Sequence, residues 1–158
     1  MAMRTVLAAG AILVTSCTLS RTPPRVQAAA VDARCGDEPT GTDTRIVGST
    51  NVDRVEPLYA IVDSTPNGME SRLIGAKLHV RTIDGVTAEA LGHALQCHAA
   101  RQTVQEPPAA DACPYALPDG WVDIQVKADA MGYEVDLRGQ DFVEARQILD
   151  RARAFASN

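Results

Sequence analysis

The sequence predicts an α+β domain, a two-layer sandwich in which two helices cover one face of a mostly antiparallel sheet. Three observations carry this. Ile74, Ala76, Leu78, Val80 and Thr82 alternate with Gly75, Lys77, His79 and Arg81, the period of two that marks a half-buried strand. Val122–Ala128 and Tyr133–Leu137 repeat that alternation on either side of a turn at Asp129–Gly132, which reads as a β-hairpin. Beyond it, Phe142, Ala145, Ile148, Leu149, Ala152, Phe155 and Ala156 recur at helical spacing and form one apolar stripe.

The connecting elements follow from capping chemistry. Asp84-Gly85 ends the first clear strand, and Thr87 is placed to cap a helix with Glu89 in its first turn. Val86 and Leu91 stand at the staple positions around that cap, and the helix is expected to reach Arg101 or Gln102. Pro107, Pro108, Pro114 and Pro118 make Gln102 to Gly120 a long, stiffened loop. Asp141 with Glu144 three residues later opens the last helix in the manner of a capping box. The order is β-α-β-β-α, with an extra leading strand expected over Pro57–Asp63. That order resembles ferredoxin-like folds and the small domains of envelope proteins. One-sided strands and one-sided helices satisfy each other when both helices share a sheet face.

The N-terminus carries a different message. Arg4 precedes an apolar run, Thr5 to Val14, that is too short for the ~20 residues a membrane span requires. A charged start, a short apolar stretch and small residues at its end are the parts of a secretory signal. Val14-Thr15-Ser16-Cys17 resembles the lipobox of bacterial lipoproteins. The resemblance implies cleavage before Cys17, a diacylglyceryl thioether on its sulfur, and attachment to a membrane of the cell envelope, facing the periplasm or the outside. The expected organisation is a signal over 1–16, a flexible linker over 17–56 rich in Thr, Ser, Pro, Gly and Ala, and the α+β domain over 57–158. Cleavage after Ala28-Ala29-Ala30 is the alternative, with Arg21 and Pro23-Pro24 standing between it and the apolar run. Leu78–Gly85, Val86-Thr87-Ala88-Glu89, Cys97-His98 and the Ala145–Ala152 helix are similar to uncharacterised exported proteins of myxobacterial type, a resemblance that implies no activity.

Composition narrows the partners. The chain has 15 Lys+Arg against 20 Asp+Glu, a formal charge of −5. No basic stripe exists to neutralise phosphates, so nucleic acid is not an expected partner. The expected partners are the membrane, through the N-terminal lipid, and an envelope protein. Aromatic residues are only 4% of the chain, so the core must rest on Ala, Val, Leu and Ile.

The cysteines and histidines hold the candidate chemistry. With lipid on Cys17, the three remaining cysteines are Cys35, Cys97 and Cys113, an odd number. The pairing expected from proximity in sequence is Cys97–Cys113, which would pin the proline-rich loop to the helix end and leave Cys35 over. Without lipidation, four cysteines allow three pairings, and spacing does not choose among them. The competing reading is a site for zinc, copper or haem built from His93, Cys97, His98 and Cys113. His93 and Cys97 stand one helical turn apart, near enough to share an ion. Against it, the chain has no C-x-x-C and no C-x-x-C-H. A nucleophile–base pair of Cys97 with His98 is poorly placed, since neighbours on a helix diverge by about 100°. Asp119, Asp123, Glu134 and Asp136 read as loop and outer-face residues, Trp121 as an anchor or a packing residue beside the loop, and Gly-rich phosphate loops are absent. The function expected is therefore a lipid-anchored envelope protein with a non-enzymatic binding or assembly domain; a periplasmic metal or haem carrier is the alternative.

Overall fold

A computed structural model describes residues 22–36, 48–65, 68–104 and 113–157. The signal segment, Cys17 and the 105–112 part of the proline-rich loop lie outside them. Helix α1 spans Pro24–Asp32, and a short 3-10 turn, Ser49–Asn51, leads into strand β1, Val52–Thr65. Strand β2, Gly68–Arg81, is followed by helix α2, Ala88–Val104. Strands β3, Asp123–Asp129, and β4, Gly132–Arg138, form the hairpin, and helix α3, Phe142–Ala156, closes the domain.

The sheet has the order β1-β2-β4-β3, and every pairing is antiparallel. Strands β2 and β3 therefore run the same way with β4 between them, and α2 crosses over to join them. Leu91, Leu95 and Ala99 of α2 meet Ala145, Ile148, Leu149 and Ala152 of α3 in one core with Ala76, Leu78, Val80, Ile124, Val135 and Leu137. Both helices thus cover one face, as the alternation predicts, and the leading strand makes the order of the sheet-and-helix layers β-β-α-β-β-α.

Local chemistry explains the boundaries. The Thr87 hydroxyl accepts from the Ala90 amide at 3.1 Å. Asp141 accepts from the amides of Val143 and Glu144 at 2.9 and 3.0 Å, while Glu144 reaches back to the Gln140 amide at 2.6 Å. The box is present, shifted so that its return bond falls one residue before the cap. Phe142, placed by the sequence in the inner stripe, is instead 54% exposed. It occupies the first helical position, one turn ahead of the buried stripe that begins at Ala145.

Gly75 fixes the sheet's close approach. Its φ is +156°, and an added Cβ would collide with the backbone carbonyl of Leu137 on β4. Gly75 also faces Leu58, where the β1–β2 register shifts. Beyond this point β4 no longer accompanies β2, and β1 and β2 continue as a two-stranded ribbon. Tyr59, Ile61 and Met69 lie on one face of it, through the pairs Tyr59–Leu73, Ile61–Ser71 and Asp63–Met69.

The segment over 17–56 differs most from expectation. Within it the described residues form α1, the 3-10 turn and the start of β1. Pro23-Pro24 looks like linker, yet Pro24 occupies the first turn of α1, where a missing N–H costs nothing. Ala28 is fully buried, and α1 packs along α2.

Candidate functional site

Two neighbouring residues of α2 serve two different neighbours. Cys97 turns toward α1 and is 5% exposed. Its sulfur is bonded to that of Cys35, just beyond the C-terminus of α1, with Cα atoms 5.6 Å apart. The bridge spans 62 residues of sequence. Arg101 reinforces it: its guanidinium donates to the Gly36 carbonyl at 3.0 Å and lies 3.6 Å from the Asp32 carboxylate. The Cys97–Cys113 pairing is therefore corrected. The loop is near Cys97 in sequence, but α1 is what covers that flank of α2.

His98, about 100° further round the helix, faces the proline-rich loop. Its Nε2 lies 3.3 Å from the sulfur of Cys113. Cys113 forms no disulfide and is half-buried. Three further groups position this pair. Tyr115 stands edge-on to the His98 ring, with centroids 6.3 Å apart, and Phe155 of α3 stands edge-on to Tyr115 at 5.8 Å. Arg151, also on α3, donates through Nε to the Cys113 carbonyl at 3.0 Å, which fixes the backbone at the thiol. Tyr115 is 2% exposed. Burial, and secondarily charge on Cys113, holds its hydroxyl protonated well above the ordinary range.

The predicted ligand set is thus divided. His93 is exposed, with ring nitrogens 3.8 and 3.9 Å from the Cys97 sulfur, so the one-turn spacing brings the two together as expected. A sulfur in a disulfide is not a thiolate, however, and Cys97 offers no ligand to zinc, copper or haem in this state. His98 and Cys113 remain as a separate pair. Sequence reasoning left Cys35 without a partner, placed Phe155 only in the inner stripe of the last helix, and missed Tyr115 and Arg151. The odd cysteine was the one available signal, since it showed that some pairing was unassigned.

The opposite face of the sheet is a lattice of mixed charge. Lys77 bonds Glu134 at 2.9 Å, and this bond above all holds its ammonium above the ordinary value. His79 Nε2 lies 3.1 Å from an Arg54 nitrogen and 3.4 Å from a Glu56 oxygen. His79, Asp129 and Glu134 bring potential ligand atoms within 4.8 Å of one another. Two of the three are already engaged by Lys77, Arg54 and Glu56; Asp136 on this face, read from the sequence as an outer-face residue, is instead 5% exposed, with Arg138 at 3.2 Å.

No family model, curated protein or solved structure matches the chain. Among the described residues, no helix is long and apolar enough to cross a membrane.

Proposed function

We propose that the chain is an exported, lipid-anchored protein of the cell envelope whose α+β domain serves binding or assembly and not catalysis. The observation that carries the assembly part is the ribbon beyond Gly75. Tyr59, Ile61 and Met69 are 55%, 73% and 79% exposed on a shared face. Exposed apolar side chains grouped on a protruding element mark interaction surfaces, and the ribbon's open edge can accept a further strand.

Export is supported by the signal-like start, by the resemblance of Val14–Cys17 to a lipobox, and by the Cys35–Cys97 bridge. Structural disulfides persist in oxidising compartments and are rare in the cytosol. Tied by that bridge, α1 would receive the tether from Cys17 close to the domain surface. A carrier for zinc, copper or haem loses Cys97 and rests on Cys113 and His98 alone.

The test is a photo-reactive residue at position 61 in cells, compared with one at the exposed Arg146 of α3. A discrete envelope-protein adduct from position 61 alone supports the reading. Identical, diffuse labelling from both positions contradicts it.

A further inference from the structure

We propose that Cys113 is a thiol–disulfide exchange site that takes a small-molecule disulfide, with His98 as its proton acceptor. The inference goes beyond the assembly reading and does not depend on the lipid anchor. Four observations carry it. The Cys113 sulfur and His98 Nε2 are 3.3 Å apart, within reach of proton transfer. Arg151 of α3 donates to the Cys113 carbonyl at 3.0 Å and so fixes the backbone that carries the thiol against His98. Cys113 forms no disulfide and is half-buried, so the residue carries a thiol and is not sealed in the core. The edge-on series His98–Tyr115–Phe155 packs the imidazole against α3.

Among the described residues, the titratable and charged groups set against Cys113 are His98 on α2, at its sulfur, Tyr115 in the loop, and Arg151 on α3, at its carbonyl. Tyr115 stays neutral through burial, so it adds no opposing charge.

Cys113 gives its proton to His98, and the thiolate attacks one sulfur of the disulfide. The new bond joins Cys113 to that sulfur while the disulfide's own S–S bond breaks. The second sulfur departs with the bonding pair and takes the proton from His98. The small disulfide is the oxidant, reduced by half to a free thiol, and Cys113 is left as a mixed disulfide.

Lowering a thiol's midpoint by one pH unit multiplies its thiolate fraction in acid about tenfold. Intrinsic nucleophilicity falls about threefold, so about threefold remains as net gain. The full chain, with Cys35–Cys97 intact, is treated with oxidised glutathione from pH 5 to 9 beside a reference cysteine peptide. Peptide mass spectrometry locates the adduct. The expected result is one glutathione on Cys113, formed at pH 6 about threefold or more faster than on the peptide. The profile's midpoint should fall below the ~8.5 of an ordinary thiol. His98→Gln should move that midpoint upward and remove the advantage at pH 6.

Reaction no faster than the peptide, a midpoint at the ordinary thiol value, or an unchanged profile in His98→Gln would overturn the proposal. So would stoichiometric zinc protecting Cys113 as purified. If His98→Gln does not fold, the profile of the unaltered protein decides alone.

Discussion

Cys97 and His98 are adjacent in sequence but belong to different sites, Cys97 bonded to Cys35 and His98 set 3.3 Å from the sulfur of Cys113. The helical turn of about 100° per residue separates them. It directs one side chain under α1 and the other against the loop that follows α2. A structural bridge and a thiol–imidazole pair are therefore built on adjacent flanks of one helix.

The bridge sets the first prediction. Closing a loop of 62 residues removes about 4 kcal/mol of chain entropy from the unfolded state in the loop-closure model. Cys35→Ser with Cys97→Ser should lower unfolding stability by roughly 2–4 kcal/mol and expose α1 to protease. Cys113→Ala should leave both measures nearly unchanged. Urea denaturation and limited proteolysis of the variants check this, and the reverse ranking would point to a Cys97–Cys113 pairing instead.

Gly75 supplies the second. A methyl group there meets the Leu137 carbonyl on the neighbouring strand, at a backbone φ of +156° that side chains rarely adopt. Gly75→Ala should cost about 2–4 kcal/mol in chemical denaturation, within the range of strained or overpacked substitutions. Gly85→Ala, in an open turn at φ +77° with nothing near its Cβ, carries backbone strain without the collision and should cost less.

The third concerns alkaline pH. Tyr115 is held protonated by burial, with Cys113 adding to the effect, while in the unfolded chain it ionises near 10.0. A group whose folded value is raised contributes stability that is complete below its unfolded value and is lost as pH rises above it. Stability should therefore decline above about pH 10, by up to about 1.4 kcal/mol per pH unit from this group. Lys77, raised by its bond to Glu134, adds loss of the same sign. Tyr115→Phe should flatten the decline between pH 9 and 11 in urea unfolding; an unchanged slope would assign the decline to other groups.

These residues also show what a sequence reveals. The β3–β4 hairpin and α3 were legible because alternation over Val122–Leu137 and the stripe from Ala145 to Ala152 report directly on a one-sided sheet and its cover. Asp141 and Thr87 were legible as caps because capping is local chemistry. Helix α1 was not. Its nine residues, Pro24–Asp32, are too few to be stable alone, and their Ala-rich composition matches a linker's. Packing on α2 and the Cys35 bridge hold it, and both are long-range.

The candidate site was half legible for the same reason. His93, Cys97, His98 and Cys113 were singled out, and two pairs among them do meet. Which sulfur bonds which depends on where α1 lies, and spacing along the chain carries no such information. Phe142 shows the smaller error. Helical periodicity assigns it a face but does not register that the buried stripe begins one turn later, at Ala145.

The most direct test of the account is mass spectrometry of the native protein from its own membranes, mapped without reduction. It should return a mature chain beginning at a diacylglyceryl Cys17, a cross-linked peptide pair containing Cys35 and Cys97, and Cys113 outside that pair. A chain recovered from the cytosol with Cys17 unmodified, and with Cys35 and Cys97 both open to alkylation, would contradict it.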